Sequence, residues 1–191
     1  MARPDRVFVD ANELFPFSVM DLVLSLAEDL LIDFVWTDEL LDEWERVIVR
    51  EGRRAPETAR SVTEAVRRFF GSTRIGPETY RSLISTVPGP DPDDRAHTAA
   101  CAFGGARVLL TRNVRDFPID FLAGHGVAVC SADTYLAGLL RRRPAAFVET
   151  LERMAAEKLR PPMSPCDVAD GLARAGATRV AAALRHRLGC P

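Results

Sequence analysis

Short continuous apolar runs alternate with amphipathic stretches along most of the chain. Val7-Phe8-Val9 has no polar alternation, the pattern of a strand buried on both faces of a parallel sheet, and Asp10 closes it. After Leu14-Phe15-Pro16 a helix is predicted to about Leu31, with Val19, Leu22, Val23 and Leu26 on one stripe. Ile32 to Trp36 reads as a second strand. Thr37 reads as the N-cap of a helix whose Leu40, Leu41, Trp44, Val47 and Ile48 share a face. A further helix is predicted over Pro56 to Phe70, and the Gly- and Pro-rich segment 71–90 holds a weak strand candidate at Leu83-Ile84.

Asp91-Pro92-Asp93-Asp94 reads as an N-cap, a first-turn proline and an acidic first turn, opening a helix with Ala99, Ala100 and Phe103 that Gly104-Gly105 stops. Strands at Arg107–Thr111 and Val127–Cys130 complete the alternation. The expected fold is three-layer α/β/α with a mostly parallel central sheet. From Pro144 the pattern is helical only: one helix carries Phe147, Leu151 and Met154, a second starts at Ser164 and stops at Gly176, and a third runs from Thr178 to Leu188. The expected division is an α/β domain over 1–140 and a small all-helical C-terminal extension over 141–191.

Composition changes this picture little. A chain of 191 residues suits one domain with an appendage. No apolar run approaches the roughly 18 residues of a membrane span, and the segment after Met1-Ala2-Arg3 is too short for a signal peptide. A cytoplasmic protein with no membrane partner is therefore expected. Cys101, Cys130, Cys166 and Cys190 lack C-x-x-C spacing and are expected as reduced thiols; His97, His125 and His186 lack ligand spacing, so no His/Cys metal site is expected.

Charge adds one asymmetry. Net charge is -2, yet residues 141–191 carry ten Lys+Arg against five Asp+Glu, leaving fifteen against twenty-two elsewhere. Arg141-Arg142-Arg143, with Arg185 and Arg187, is a candidate RNA contact, and a solvated helical face is the plainer alternative.

In parallel α/β sheets, loops at the carboxyl ends of the strands meet at one edge, and ligands bind there. Asp10 ends the first strand, the 111–116 loop follows a later one, and the helices opening at Thr37 and Asp91 start from that edge. At about 100° per residue, Glu43 falls beside the Leu40/Trp44/Val47 stripe, whereas Glu39 and Asp42 face solvent. Carboxylates gathered at one point repel unless a cation neutralises them. Oxygen-only ligands favour Mg²⁺ or Mn²⁺ over zinc, and such an ion binds phosphate and activates water, which implies phosphodiester hydrolysis. Singly, each acid has a plainer reading: Asp10 as a turn cap, Asp91, Asp93 and Asp94 as complements of a helix dipole, Glu43 as a solvated helix acid, Asp116 as a turn residue.

Taken in order, four motifs resemble the PIN-domain family of metal-dependent nucleases, and in particular the VapC-type toxins of bacterial toxin–antitoxin pairs. They are Val7-Phe8-Val9-Asp10-Ala11-Asn12, Thr37 with Leu40-Leu41-Asp42-Glu43, Asp91-Pro92-Asp93-Asp94-Arg95, and Val108-Leu109-Leu110-Thr111-Arg112-Asn113 with Asp116-Phe117-Pro118, spanning residues 6–135. The resemblance implies a PIN-like fold with Asp10, Glu43, Asp94 and Asp116 as catalytic acids holding Mg²⁺ or Mn²⁺. It makes Asn12, Thr111 and Asn113 water- or substrate-orienting. Asp93 is the alternative to Asp94, and many relatives carry an acid where Asn113 stands, which leaves that role to Asp116. The implied activity is that of an endoribonuclease acting on RNA, a toxin silenced by a cognate protein antitoxin, with a homodimer among its assemblies. A catalytically weak PIN module that binds RNA or protein is the alternative. An α/β phosphatase using Asp10 is disfavoured, since Asp10-Ala11-Asn12 lacks a second acid two residues on. The helical tail resembles an extension found on some VapC-like proteins.

Overall fold

The computed structural model is described here over residues 3–52, 54–89 and 92–191, apart from the side chains of Pro92 and Asp93. Strand β1 (Asp5–Val9) runs into a single turn, α1 (Ala11–Leu14), and Pro16 opens α2 (Phe17–Glu28). After β2 (Ile32–Val35) come α3 (Asp38–Arg50), α4 (Pro56–Phe69), the short α5 (Pro77–Tyr80) and a 3-10 segment, Arg81–Thr86. Helix α6 (Pro92–Phe103) precedes β3 (Val108–Leu110), α7 (Ile119–Gly124) and β4 (Ala128–Cys130). The chain ends in α8 (Ala132–Arg142), α9 (Pro144–Ala156), α10 (Pro165–Arg174) and α11 (Thr178–Leu188). Among the described residues no helix is long and apolar enough to cross a membrane. Asp91, the expected cap of α6, lies outside the described residues.

The chain folds into two compact units. One runs through Phe15 and then over Asp33–Cys130; the other joins Pro16–Ile32 to Ser131–Pro191. This partition differs from a single cut at 140, because α2 groups with the C-terminal helices and α8 begins that group at its own first turn.

The sheet has the order β2-β1-β3-β4. β1 and β3 pair in parallel, Val7 opposite Val108 and Val9 opposite Leu110, and β3 and β4 pair in parallel with Leu110 opposite Cys130. Val7, Phe8, Val9, Leu109 and Leu110 are fully buried, which is why these strands read as unbroken apolar runs. Within this unit α1 packs on α3, α3 on α4, and α6 on both α5 and α7. The Trp36 indole donates to the Phe70 carbonyl at 2.8 Å, and the Ile75 N–H donates to the Trp36 carbonyl at 2.8 Å, tying the chain after α4 to the end of β2. Leu83-Ile84 is not a strand. Thr86 Oγ1 donates to Leu83 O at 2.7 Å and Val87 N–H to Ile84 O at 3.2 Å, so these backbone groups close locally in the 3-10 segment.

In the second unit, α2 packs on α9 and α10, and α11 packs on α8 and α10. Arg153 on α9 holds Glu28 (3.3 Å), Asp29 (3.2 Å) and Glu157 (2.9 Å), and Lys158 reaches Asp21 at 2.6 Å. Ser164 and Asp167 form a capping box on α10. Cys101 and Cys130 are free thiols, as expected. Cys166 and Cys190 are not: they form a disulfide with Cα atoms 5.8 Å apart, since the packing of α11 on α10 brings their ends together. Linear spacing held no sign of this. The bridge spans 24 residues of sequence, a loop for which chain-entropy arguments give about 3 kcal/mol of stabilisation.

Asp133, in the first turn of α8, accepts the N–H groups of Arg179 (3.1 Å) and Val180 (2.9 Å) at the start of α11. These are donors that a helix leaves orphaned. Asp133→Ala should cost about 1–2 kcal/mol in urea unfolding, and Asp133→Asn, which keeps an acceptor, should recover most of the loss.

Candidate metal centre

Parallel pairing brings the first two site residues side by side. The Asp10 N–H donates to Leu110 O at 2.9 Å and the Thr111 N–H to Cys130 O at 3.0 Å, so both residues leave adjacent strands at the same end. Thr111 Oγ1 donates to Asp10 Oδ2 at 2.8 Å and accepts from the Asn113 N–H at 3.0 Å. Asp10 is only 4% exposed and Thr111 is fully buried.

Helix α3 delivers Glu43. Thr37 Oγ1 accepts the Leu40 N–H at 3.2 Å and caps the helix as expected. Its first turn is clamped from outside: Arg74 binds Asp38, while the Tyr80 hydroxyl and Arg81 both donate to Glu39. Glu39, expected in solvent, is therefore half-buried, because α5 and the segment after it cover it; Asp42 remains exposed beside Arg67 at 2.6 Å. One turn beyond Glu39, the half-buried Glu43 places Oε2 2.8 Å from His97 Nε2.

His97, not expected as a ligand, joins Asp10 and Glu43 in a group that could hold a metal ion. It lies on α6, 3% exposed, with its ring centroid 5.6 Å from that of Phe8. One donor atom each from Asp10, Glu43 and His97 lies within 4.8 Å of the other two. The sequence signal was His97 falling three residues after Asp94, on one helical face, rather than any spacing between histidines. Asp94 is half-buried, close enough for its charge to act on His97.

The electrostatics of the cluster are those of gathered negative charge. Burial pushes the Asp10 carboxyl above its usual range, aided by the Glu43 charge and opposed by the Thr111 hydrogen bond and by His97. Burial pulls His97 down, but the hydrogen bond and charge of Glu43, with the charges of Asp10 and Asp94, outweigh it and raise the imidazole overall. A field that raises a buried imidazole above its ordinary range is a negative one, and it would equally favour a cation in the same place. His97 Nδ1 is also a buried nitrogen with no partner among the described residues. Two carboxylates and an imidazole suit a first-row divalent cation, a candidate donor set that differs from the oxygen-only one the sequence suggests.

The remaining candidates are not members of that group of three. Asp116 is exposed on the turn Val114–Asp116, its N–H bonded to Asn113 O at 2.9 Å; Asn113 and Asn12 are exposed as well, although the Asn12 N–H donates to the Asp10 carboxylate. The Asp93 side chain lies outside the described residues, and Arg141, Arg142 and Arg143 belong to the helical unit. Sequence reasoning also passed over Glu13. It is 2% exposed and accepts from Arg112 Nε at 2.6 Å, binding α1 to the loop that carries Thr111 and Asn113.

Comparison with known families gives two matches. Residues 6–115 match the family model of the PIN domain, and residues 132–186 match that of the VapC50 C-terminal domain. No curated protein and no solved structure matches the chain.

The clamp on α3 has a pH signature. Burial pushes the Glu39 carboxyl up, but hydrogen bonds from Tyr80 and Arg81 outweigh it and hold it below the ordinary range. A depressed carboxyl contributes stability that is present above its unfolded pKa of about 4.3 and is lost as pH falls through the folded value. Unfolding midpoints measured from pH 6 down to pH 3 should therefore fall more steeply in the native sequence than in Glu39→Gln.

Proposed function

The chain belongs to the PIN-domain family, and on that premise we propose that it is a Mg²⁺- or Mn²⁺-dependent endoribonuclease of the VapC type, the toxin of a toxin–antitoxin pair acting in the cytoplasm. The observation that carries this reading is the convergence of Asp10, Glu43 and His97 at the carboxyl end of a parallel sheet. Asp10, Glu43 and His97 would hold the ion, with Asp94 adding negative charge behind His97. When bound, the ion supplies an activated water and neutralises charge on the phosphodiester under attack. Thr111 fixes the Asp10 carboxylate through its hydroxyl, as ligating carboxylates are fixed by outer partners. His97 must give up its proton in order to ligate, which makes ion binding weaker as pH falls. Asn12, Asn113 and Asp116, exposed beside the strand ends, would orient the RNA and the attacking water. A cognate antitoxin is the proposed protein partner, and a homodimer the proposed assembly.

Purified protein should cleave RNA with Mn²⁺ or Mg²⁺, stop on addition of EDTA and resume when Mn²⁺ is restored. Asp10→Asn and Glu43→Gln should each slow cleavage by more than about 100-fold, the upper range seen for outer partners of a metal. Calorimetry should show Mn²⁺ binding weakened in His97→Gln. Cleavage that survives EDTA, or an active Asp10→Asn variant, would overturn the assignment.

One observation favours a second reading, a catalytically weak PIN module that binds RNA or protein: Asp116 and Asn113 are exposed and outside the three-residue group. That module would bind RNA equally well with EDTA or Asp10→Asn and leave it intact.

A further inference from the structure

Helices α8 and α11 lie side by side in parallel. Asp133 in the first turn of α8 caps the first turn of α11, and at the other end Arg141 of α8 lines one groove with His186 and Arg187 of α11. The groove measures about 480 Å³ and includes Leu140 and Ala183. Basic residues in a last turn ordinarily just offset the helix dipole, so that explanation has to be weighed first. Two helix ends present roughly one negative charge in total, at about half a charge each. Against it stand Arg141, Arg143 and Arg187, while Arg185 is paired with Asp170. Dipole compensation thus accounts for about one cation and leaves roughly two.

None of the described acids of this unit pairs with Arg141 or Arg187: Asp21, Glu28, Asp29 and Glu157 are held by Lys158 and Arg153, Asp133 caps α11, Asp167 closes a capping box, and Glu149 and Glu152 on α9 form no ion pair with either arginine. Among the described residues the side chains of Arg141, Arg143, His186 and Arg187 have no hydrogen-bonding or ion-pair partner. Arg142 covers the Tyr135 ring at 5.8 Å, so no open aromatic face is offered to a base there.

We propose that the α8/α11 groove holds the phosphodiester backbone of the RNA substrate, Arg141 and Arg187 each gripping a phosphate while the sugars lie over Ala183. Guanidinium forks match phosphate geometry, and a groove with cationic walls, an apolar floor and no stacking platform reads charge and spacing rather than sequence. This rests on the ribonuclease reading above.

The test is fluorescence anisotropy of labelled single-stranded RNA with the full chain in EDTA, titrated with NaCl. Arg141→Gln/Arg187→Gln should weaken binding about tenfold near 0.1 M salt and lower the log–log salt slope by about 1.4, two contacts at about 0.7 each. Arg160→Gln should change the affinity less than twofold, and RNAs of scrambled sequence should bind alike. Unchanged affinity and slope in the double variant overturn the groove, as does a variant that loses binding to polyglutamate while keeping RNA. Native protein that holds RNA through Arg141 and Arg187 yet leaves it uncut with Mn²⁺ would sink the nuclease reading and still support the groove.

Discussion

A carboxylate held out of water costs several kcal/mol unless hydrogen bonds and opposite charge replace its hydration, and Asp10 is such a carboxylate. Its compensation comes from three separate places: the Thr111 hydroxyl one strand away, the Asn12 N–H two residues on, and His97 on α6. Each depends on larger structure. Thr111 reaches Asp10 only while Val9 pairs with Leu110, and a slip of one residue would turn the strand's alternate face to the site. His97 is held in turn by Glu43, whose helix is anchored by Arg74, Tyr80 and Arg81 through its first turn. Sheet register, the α3 clamp and the position of α6 therefore converge on a single oxygen pair.

The same constraint gathers negative charge at the site. Glu43 and Asp94 add to the field of Asp10, and the Cys101 thiol, fully buried near Asp10, is pushed well above its ordinary range by burial and by that charge. A second acid, Glu13, is buried close by in sequence but is answered by Arg112 and so drops out of the cation balance. Two buried acids three residues apart thus have different partners: Asp10 is answered by a hydroxyl, a backbone N–H and an imidazole, and Glu13 by a guanidinium.

The parts readable from sequence were those decided locally. An unbroken apolar run identified β1, a capping threonine and a clear apolar stripe identified α3, and the angular offset from that stripe separated Glu43 from Asp42. Other parts depended on tertiary placement. His97 carries only the weak signal of its i, i+3 position after Asp94; its meaning comes from Glu43, fifty-four residues away. Glu39 looked solvated because its cover, Tyr80, arrives from a segment with weak periodicity. The Cys166–Cys190 bridge and the grouping of α2 with α9 and α10 follow from packing that no window of the sequence contains. Leu83-Ile84 was misread because two adjacent apolar residues are too few to separate a strand from a 3-10 turn.

The chain enters the helical unit at Pro16, leaves it after Ile32 and returns at Ser131. Asp29, at the end of α2, meets its α9 partner Thr150 across 121 residues of sequence. On a ribosome moving at 5–20 residues per second, that separation is a delay of roughly 6 to 24 s. Throughout it α2 exists without α9, although Val19, Leu22 and Leu26 are buried in the finished fold. The sheet strands that flank α2 in sequence are all made before its own unit can close, so synthesis itself imposes an order of assembly. A nascent chain of this protein carries an open apolar helix for most of its time on the ribosome, a period in which a chaperone or a waiting partner could reach it before the protein can act.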